Sequence, residues 1–116
     1  AYLIIQPTEA LTVIDVNSGK NTSGKNAEEY YYKINLEAAA EISRQLRLRN
    51  ISGIVIVDFI NMAKEEQRKE LMHQFRLSLK EDPVPVRLVD ITKLGLVELT
   101  RKKERKTLLE QVAQLR

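Results

Sequence analysis

Two apolar runs each carry one carboxylate near their C-terminal end, and this repeated pattern restricts the fold more than any other feature. The first is Val13-Ile14-Asp15-Val16-Asn17-Ser18-Gly19 and the second is Ile54-Val55-Ile56-Val57-Asp58-Phe59-Ile60-Asn61-Met62. Such β-branched runs suit strands. An unpaired carboxylate inside one is costly unless it is hydrogen-bonded or ligates a metal. Taken singly, each Asp reads as a residue that caps a turn or a neighbouring helix. Taken as a pair at equivalent places in two strands, they would meet at one sheet edge. That edge suits a hard divalent cation such as Mg²⁺, which favours oxygen ligands and keeps several waters, with Mn²⁺ as a substitute. Asn17 follows Asp15 by two residues, so strand alternation sends it to the same face, where it can support a ligand or a water.

The rest of the chain is read around these two strands. Tyr2–Ile5 and Leu11–Val16 read as strands joined by a turn at Gln6-Pro7-Thr8-Glu9-Ala10. Residues 17–26 are polar and contain Gly19 and Gly24, which marks a loop. Its steps Asn17-Ser18-Gly19-Lys20 and Thr22-Ser23-Gly24-Lys25 lack the glycine spacing of a phosphate-binding P-loop, which excludes that motif. Asn26 suits a helix N-cap. A helix over about 27–48 carries Ile34, Ala38, Ile42 and Leu46 at i+4 spacing. The strand Ile54–Ile60 is apolar on both faces apart from Asp58, so it is expected to be central and covered on both sides. A second helix over about 64–80 buries Leu71, Phe75 and Leu79, and Asp82-Pro83-Val84-Pro85 ends it. His73 falls on its polar side, and Asn61 can cap its start. Short strands follow at Val86–Val89 and Leu96–Leu99 with a turn over 90–95. A tail over about 103–115 carries Leu108, Val112 and Leu115 at helical spacing. The order ββαβαββα implies an α/β domain, a mixed sheet with packed helices.

Composition narrows the function classes. The 116 residues suffice for one compact domain. There is no Cys, hence no disulfide framework and no thiolate zinc site. No apolar run reaches the roughly 20 residues of a membrane span. The net charge of +3 is mild, but the cations cluster. Lys20, Lys25 and Lys33 lie on or beyond the loop after Asp15. Arg44, Arg47 and Arg49 end the first helix, and Arg101, Lys102, Lys103, Arg105 and Lys106 follow the last strand. Beside a metal site such clusters attract phosphodiesters. The run Tyr30-Tyr31-Tyr32 is expected to pack mainly into the fold.

These residues resemble a known family. Val13-Ile14-Asp15-Val16-Asn17-Ser18-Gly19, Asn35-Leu36-Glu37-Ala38-Ala39, Arg44-Gln45-Leu46-Arg47-Leu48-Arg49, Ile56-Val57-Asp58-Phe59-Ile60 and Leu94-Gly95-Leu96-Val97-Glu98-Leu99-Thr100-Arg101 closely resemble the ribonuclease E/G family, in order and spacing. The resemblance implies that family's catalytic, DNase I-like subdomain over residues 1–116, cut from a longer chain. It implies a cytoplasmic, Mg²⁺-dependent endoribonuclease that processes single-stranded RNA and leaves 5′-phosphate and 3′-hydroxyl ends. Asp15 and Asp58 become the metal ligands, with Asn17 beside them in the catalytic set. Lys20, Lys25, Arg44, Arg47, Arg49 and Arg101 become the RNA contacts.

The chain also departs from the family pattern. Asn61 stands where relatives often carry a second Asp, and the Pro83/Pro85 loop lacks a basic residue. The family's zinc-binding Cys pair, oligonucleotide-binding barrel and 5′-end sensing region have no counterpart in these 116 residues. Low activity of the segment alone is therefore expected. The tail's apolar stripe is expected to face another subunit or the remainder of the protein. A module that keeps the fold but only binds RNA or supports assembly is the alternative.

Overall fold

In the computed structural model, residues 2–19, 25–91 and 96–103 are described. The elements run β1 (Tyr2–Pro7), β2 (Thr12–Asn17), α1 (Lys25–Leu48), β3 (Gly53–Asp58), α2 (Glu65–Lys80), β4 (Val86–Ile91) and β5 (Leu96–Arg101). The expected helix in the tail lies outside the described residues, as does most of the turn over 90–95.

The first connection is a tight hairpin. The Thr8 hydroxyl donates to the Leu11 carbonyl at 2.7 Å and accepts from the Leu11 N–H at 3.1 Å, which closes the turn between β1 and β2. Pro7 ends β1 on the outer edge of the sheet, where a strand tolerates a residue without an N–H. The next connections need helices. β2 and β3 pair in parallel, so α1 must carry the chain back along the strands between them. β5 pairs antiparallel with both β3 and β4, which completes a mixed sheet in the order β1-β2-β3-β5-β4.

The expected helical stripes are the core. Ile34, Ala38, Ile42 and Leu46 of α1 are buried, as are Leu71, Phe75 and Leu79 of α2. They meet Ile14, Val16, Val55, Val57, Val97 and Leu99, which alternate along three strands and so share one face. Phe59 and Phe75 meet edge to face at 5.5 Å between ring centroids.

The opposite face corrects one expectation. β3 is central, but helices cover it on one side only among the described residues. Ile54 is 42% exposed, and Ile4 and Val89 on the same face are 37% and 38% exposed. The reason is topological. α1 and α2 contact each other, so both connections fall on one face and the described residues form two layers. β3 also stops at Asp58, two residues earlier than the apolar run suggests.

α1 ends in a Schellman arrangement. The Ile51 N–H donates to the Leu46 carbonyl at 3.0 Å, the Asn50 N–H donates to the Arg47 carbonyl at 3.2 Å, and Asn50 sits at φ 50°. Three residues later Gly53 takes φ +87° as β3 begins. A Cβ there would meet nothing within 4 Å, so a Gly53→Ala change pays only for backbone conformation. It is expected to cost about 1–2 kcal/mol in chemical denaturation with an unchanged m-value.

Candidate metal and phosphodiester site

β2 and β3 bring the two carboxylates together. In the parallel register Asp15 is the Cα partner of Asp58, so both side chains rise from the same face of neighbouring strands, about 4.8 Å apart along the hydrogen-bonding direction. Among the described residues, that face carries no helix. Asp15 is half-buried and Asp58 is exposed. Ile4 of β1 flanks Asp15 and Leu96 of β5 flanks Asp58 in the same row. Partial burial, and then the charge of Asp15, push the Asp58 carboxyl above its ordinary value of 3.8. Two carboxylates in one row between apolar neighbours repel each other, and a cation between them removes that cost.

Asn17 joins the pair by alternation, two residues beyond Asp15 on the same face. Its Oδ1 accepts the Gly19 N–H at 2.9 Å, and Gly19 takes φ 71° to make that turn. This bond orients the Asn17 amide.

The donor set fits Mg²⁺ or Mn²⁺. No group of three or more His, Cys, Asp or Glu side chains is arranged for a metal among the described residues. The described residues thus build no caged transition-metal site. Mg²⁺ is commonly held by one or two carboxylates and keeps several waters, which is what Asp15 and Asp58 on an open face allow.

The expected basic contacts are distributed differently. α1 runs back from the carboxylate end of the sheet to its opposite end. Arg44, Arg47 and Arg49 therefore sit near Gly53, about 17 Å along β3 from Asp58. Arg44 pairs with Glu41 at 3.0 Å, and Arg49 donates to Gln45 at 2.9 Å. Arg101 is the Cα partner of Gly53, at that same far end, and is 3% exposed. Its guanidinium donates to Asp82 Oδ2 at 2.8 Å and Oδ1 at 3.2 Å, to Asn50 Oδ1 at 3.0 Å and to the Ile51 carbonyl at 3.1 Å. These four bonds take Arg101 out of the expected RNA contacts and make it part of the fold. Its position in a charged run concealed this, because only the register turns it inward. Lys20 and the side chain of Lys25 lie outside the described residues.

Two residues not singled out by spacing shape the exit from β3. Asn35 of α1 is fully buried and bonds to Ile60, and Arg68 of α2 donates to the Met62 carbonyl at 2.6 Å and the Ala63 carbonyl at 2.9 Å. Lys64, not Asn61, occupies the α2 N-cap position, and no side chain caps there. Asn61 is exposed. Asn26 lies inside the first turn of α1 instead of capping it, because the helix begins at Lys25. His73 is exposed, as its place on the polar side of α2 suggests.

Comparison with known proteins agrees across the chain. A model of the "Ribonuclease E/G family" matches residues 1–104. A "Ribonuclease E" of Synechocystis sp. is 49% identical over 113 residues, covering 97% of this chain and 17% of the relative. A "Ribonuclease G" of Escherichia coli is 42% identical over 107 residues, covering 92% of this chain and 22% of the relative. A "Ribonuclease E/G-like protein" of Pyropia yezoensis is 41% identical over 112 residues. The chain thus spans about a fifth of the length of these curated relatives.

Proposed function

Because this chain belongs to the ribonuclease E/G family, we propose that it carries the hydrolytic centre of a Mg²⁺-dependent endoribonuclease acting on single-stranded RNA. The observation that carries this reading is the pairing of Asp15 with Asp58 across β2 and β3 on an open sheet face. Asp15 and Asp58 would hold the cation. Mg²⁺ supplies Lewis-acid polarisation of the phosphoryl group and neutralises the charge that develops there.

The chain's own residues do the positioning. The strands hold the two carboxylates at fixed separation, so no reorganisation is needed when substrate arrives. The Asn17 amide, oriented by its Gly19 bond, donates to the scissile phosphate or to the attacking water. The uncovered face leaves room for an extended strand to lie across the carboxylate row. α1 and α2 both follow strands that end at the carboxylate edge, so their N-termini sit at that end. Their dipoles favour a polyanion there. Attack of water on phosphorus with rupture of the P–O3′ bond leaves the phosphate on the 5′ side, and the departing 3′-oxygen takes up a proton to become a 3′-hydroxyl. No helix of the described residues is long and apolar enough to cross a membrane, which suits our placing this activity in the cytoplasm.

Substrate grip and assembly are proposed to reside largely in parts of the relatives that these residues do not span. The 116-residue chain is therefore expected to cleave slowly. Incubation with a 5′-labelled single-stranded RNA, with Mg²⁺ and then with excess chelator, tests the reading. Slow, chelator-sensitive cleavage leaving 5′-phosphate ends supports it. Cleavage that survives chelation, or products with 2′,3′-cyclic phosphates, sinks it. RNA binding without any cleavage, even in high Mg²⁺, favours the binding-module alternative.

A further inference from the structure

Asn35 is a polar side chain at 0% exposure in the middle of the apolar face of α1, between Ile34 and the buried Ala38 and Ala39. Burying an amide in such surroundings is unfavourable unless each of its groups finds a partner. Both do, and both partners belong to one residue. The Asn35 Nδ2 donates to the Ile60 carbonyl at 2.8 Å, and the Ile60 N–H donates to the Asn35 Oδ1 at 3.0 Å. The side-chain amide thus stands in for a neighbouring strand at the point where the real ladder has stopped. β3 ends at Asp58, and residues 59–64 have no regular structure.

Ile60 is two residues beyond Asp58. Phe59 between them is buried against Phe75, and Met62 beyond is buried and has its carbonyl held by Arg68. The chain leaving the carboxylate is therefore pinned from α1 at Ile60 and from α2 at Met62. Of the two anchors, Asn35 acts closer to Asp58 and is the more deeply buried. Without it, the Ile60 N–H and carbonyl are left unpaired inside the protein, and the segment relieves this only by moving away from α1. That movement carries the last residue of β3 with it.

We infer that Asn35 is a positioning residue for Asp58: by acting as a surrogate strand partner for Ile60, it holds the Asp58 carboxylate in register with Asp15. The inference rests on the reading of Asp15 and Asp58 as a divalent-cation site, and it adds a residue 23 positions upstream that touches neither metal nor substrate. Groups that orient metal ligands change metal affinity by roughly 10- to 100-fold when removed.

The test uses Mn²⁺ alone as the probe, with affinity measured by water-proton relaxation in the 116-residue chain. Wild type and Asp58→Asn first establish the site. Equal Mn²⁺ affinity in these two ends the metal reading, and this inference with it. If Asp58→Asn weakens binding, Asn35→Ala is expected to weaken it about tenfold, and Asn35→Ala added to Asp58→Asn is expected to weaken it no further. Leu79→Ala, a core truncation at the far end of α2, serves as the control for simple destabilisation and is expected to leave Mn²⁺ affinity unchanged. Wild-type affinity in a folded Asn35→Ala chain overturns the inference while leaving the metal reading intact. So does an equal loss in Leu79→Ala. Should Asn35→Ala fail to fold, Asn35→Ser and amide hydrogen exchange at Ile60 in the wild type decide. Ile60 is expected to exchange as slowly as the Val57 amide inside β3, and rapid exchange overturns the inference.

Discussion

Asp58→Asn is expected to lower single-turnover RNA cleavage at saturating Mg²⁺ by about a hundredfold or more, with no loss of folding stability. The magnitude follows from the chemistry assigned to the pair. Metal-assisted charge stabilisation is worth several kcal/mol at the transition state, and about 3 kcal/mol is already more than a hundredfold in rate. The stability half follows from electrostatics. Partial burial and the neighbouring Asp15 raise the Asp58 carboxyl in the folded chain. A raised carboxyl favours folding while protonated, and that contribution is lost as the pH rises through the raised value. At neutral pH, without metal, the ionised side chain therefore works against the fold. An uncharged amide of the same shape removes the repulsion, so the midpoint of thermal unfolding in chelator should hold or rise. A variant that loses stability and activity together would show Asp58 to be a structural residue. Asp15→Asn provides the matching measurement on the other strand.

The second large effect is predicted at the opposite end of the sheet and has the opposite character. Arg101→Ala is expected to destabilise the chain by about 3–5 kcal/mol, because it leaves the Asp82 carboxylate buried without its counter-ion. The Arg101–Asp82 pair has side-chain exposures of 3% and 1%. It joins the end of β5 to the loop after α2, while the same guanidinium reaches Asn50 and Ile51 after α1. One side chain thus ties three segments together. Burial raises the Asp82 carboxyl. The Arg101 hydrogen bonds, the Val84 N–H at 2.9 Å and the charges of Arg101 and Arg47 outweigh that and hold it below its ordinary 3.8. A depressed carboxyl contributes stability that is present above the ordinary value and is lost as the pH falls through the depressed one. Wild-type stability should therefore fall on acidification below about pH 4, and the Asp82→Asn variant should show a flatter acid limb from a lower plateau. Urea denaturation between pH 2.5 and 7 measures both. An Arg101→Ala chain within 1 kcal/mol of wild type at pH 7 would refute the tie, and Arg101 would return to the set of RNA contacts.

The two sites show how far the sequence carries. The two strands and their carboxylates were legible because strand periodicity is local: a β-branched run with one carboxylate declares both the strand and the anomaly. The buried stripes of α1 and α2 were legible for the same reason, since i+4 spacing encodes a helix face before any tertiary contact forms. That β2 and β3 lie side by side was expected from the equivalent places of Asp15 and Asp58; that they pair in parallel, with the two Asp as partners, is set by α1 returning the chain between them.

What local pattern could not decide was direction and cover. The arginines at the end of α1 looked like phosphate contacts in a one-dimensional reading. A helix that must run back along the sheet delivers them to the end remote from the carboxylates. Arg101 looked like one more cation in a basic run, and only the register beside Gly53 turns it onto Asp82. The apolar character of both faces of β3 suggested cover on both, but the two helices pack together on one side. Asn35 showed no signal beyond its place in a family-like segment, because its importance lies in a bond to a residue 25 positions away. The amino-acid sequence by itself determined the elements, their buried faces and the identity of the paired carboxylates, all of which depend on neighbours a few residues apart. The tertiary structure alone decided which cations lie remote from the paired carboxylates, which charges are tied into the fold and what holds the exit of β3, because each depends on contacts between segments distant in the chain.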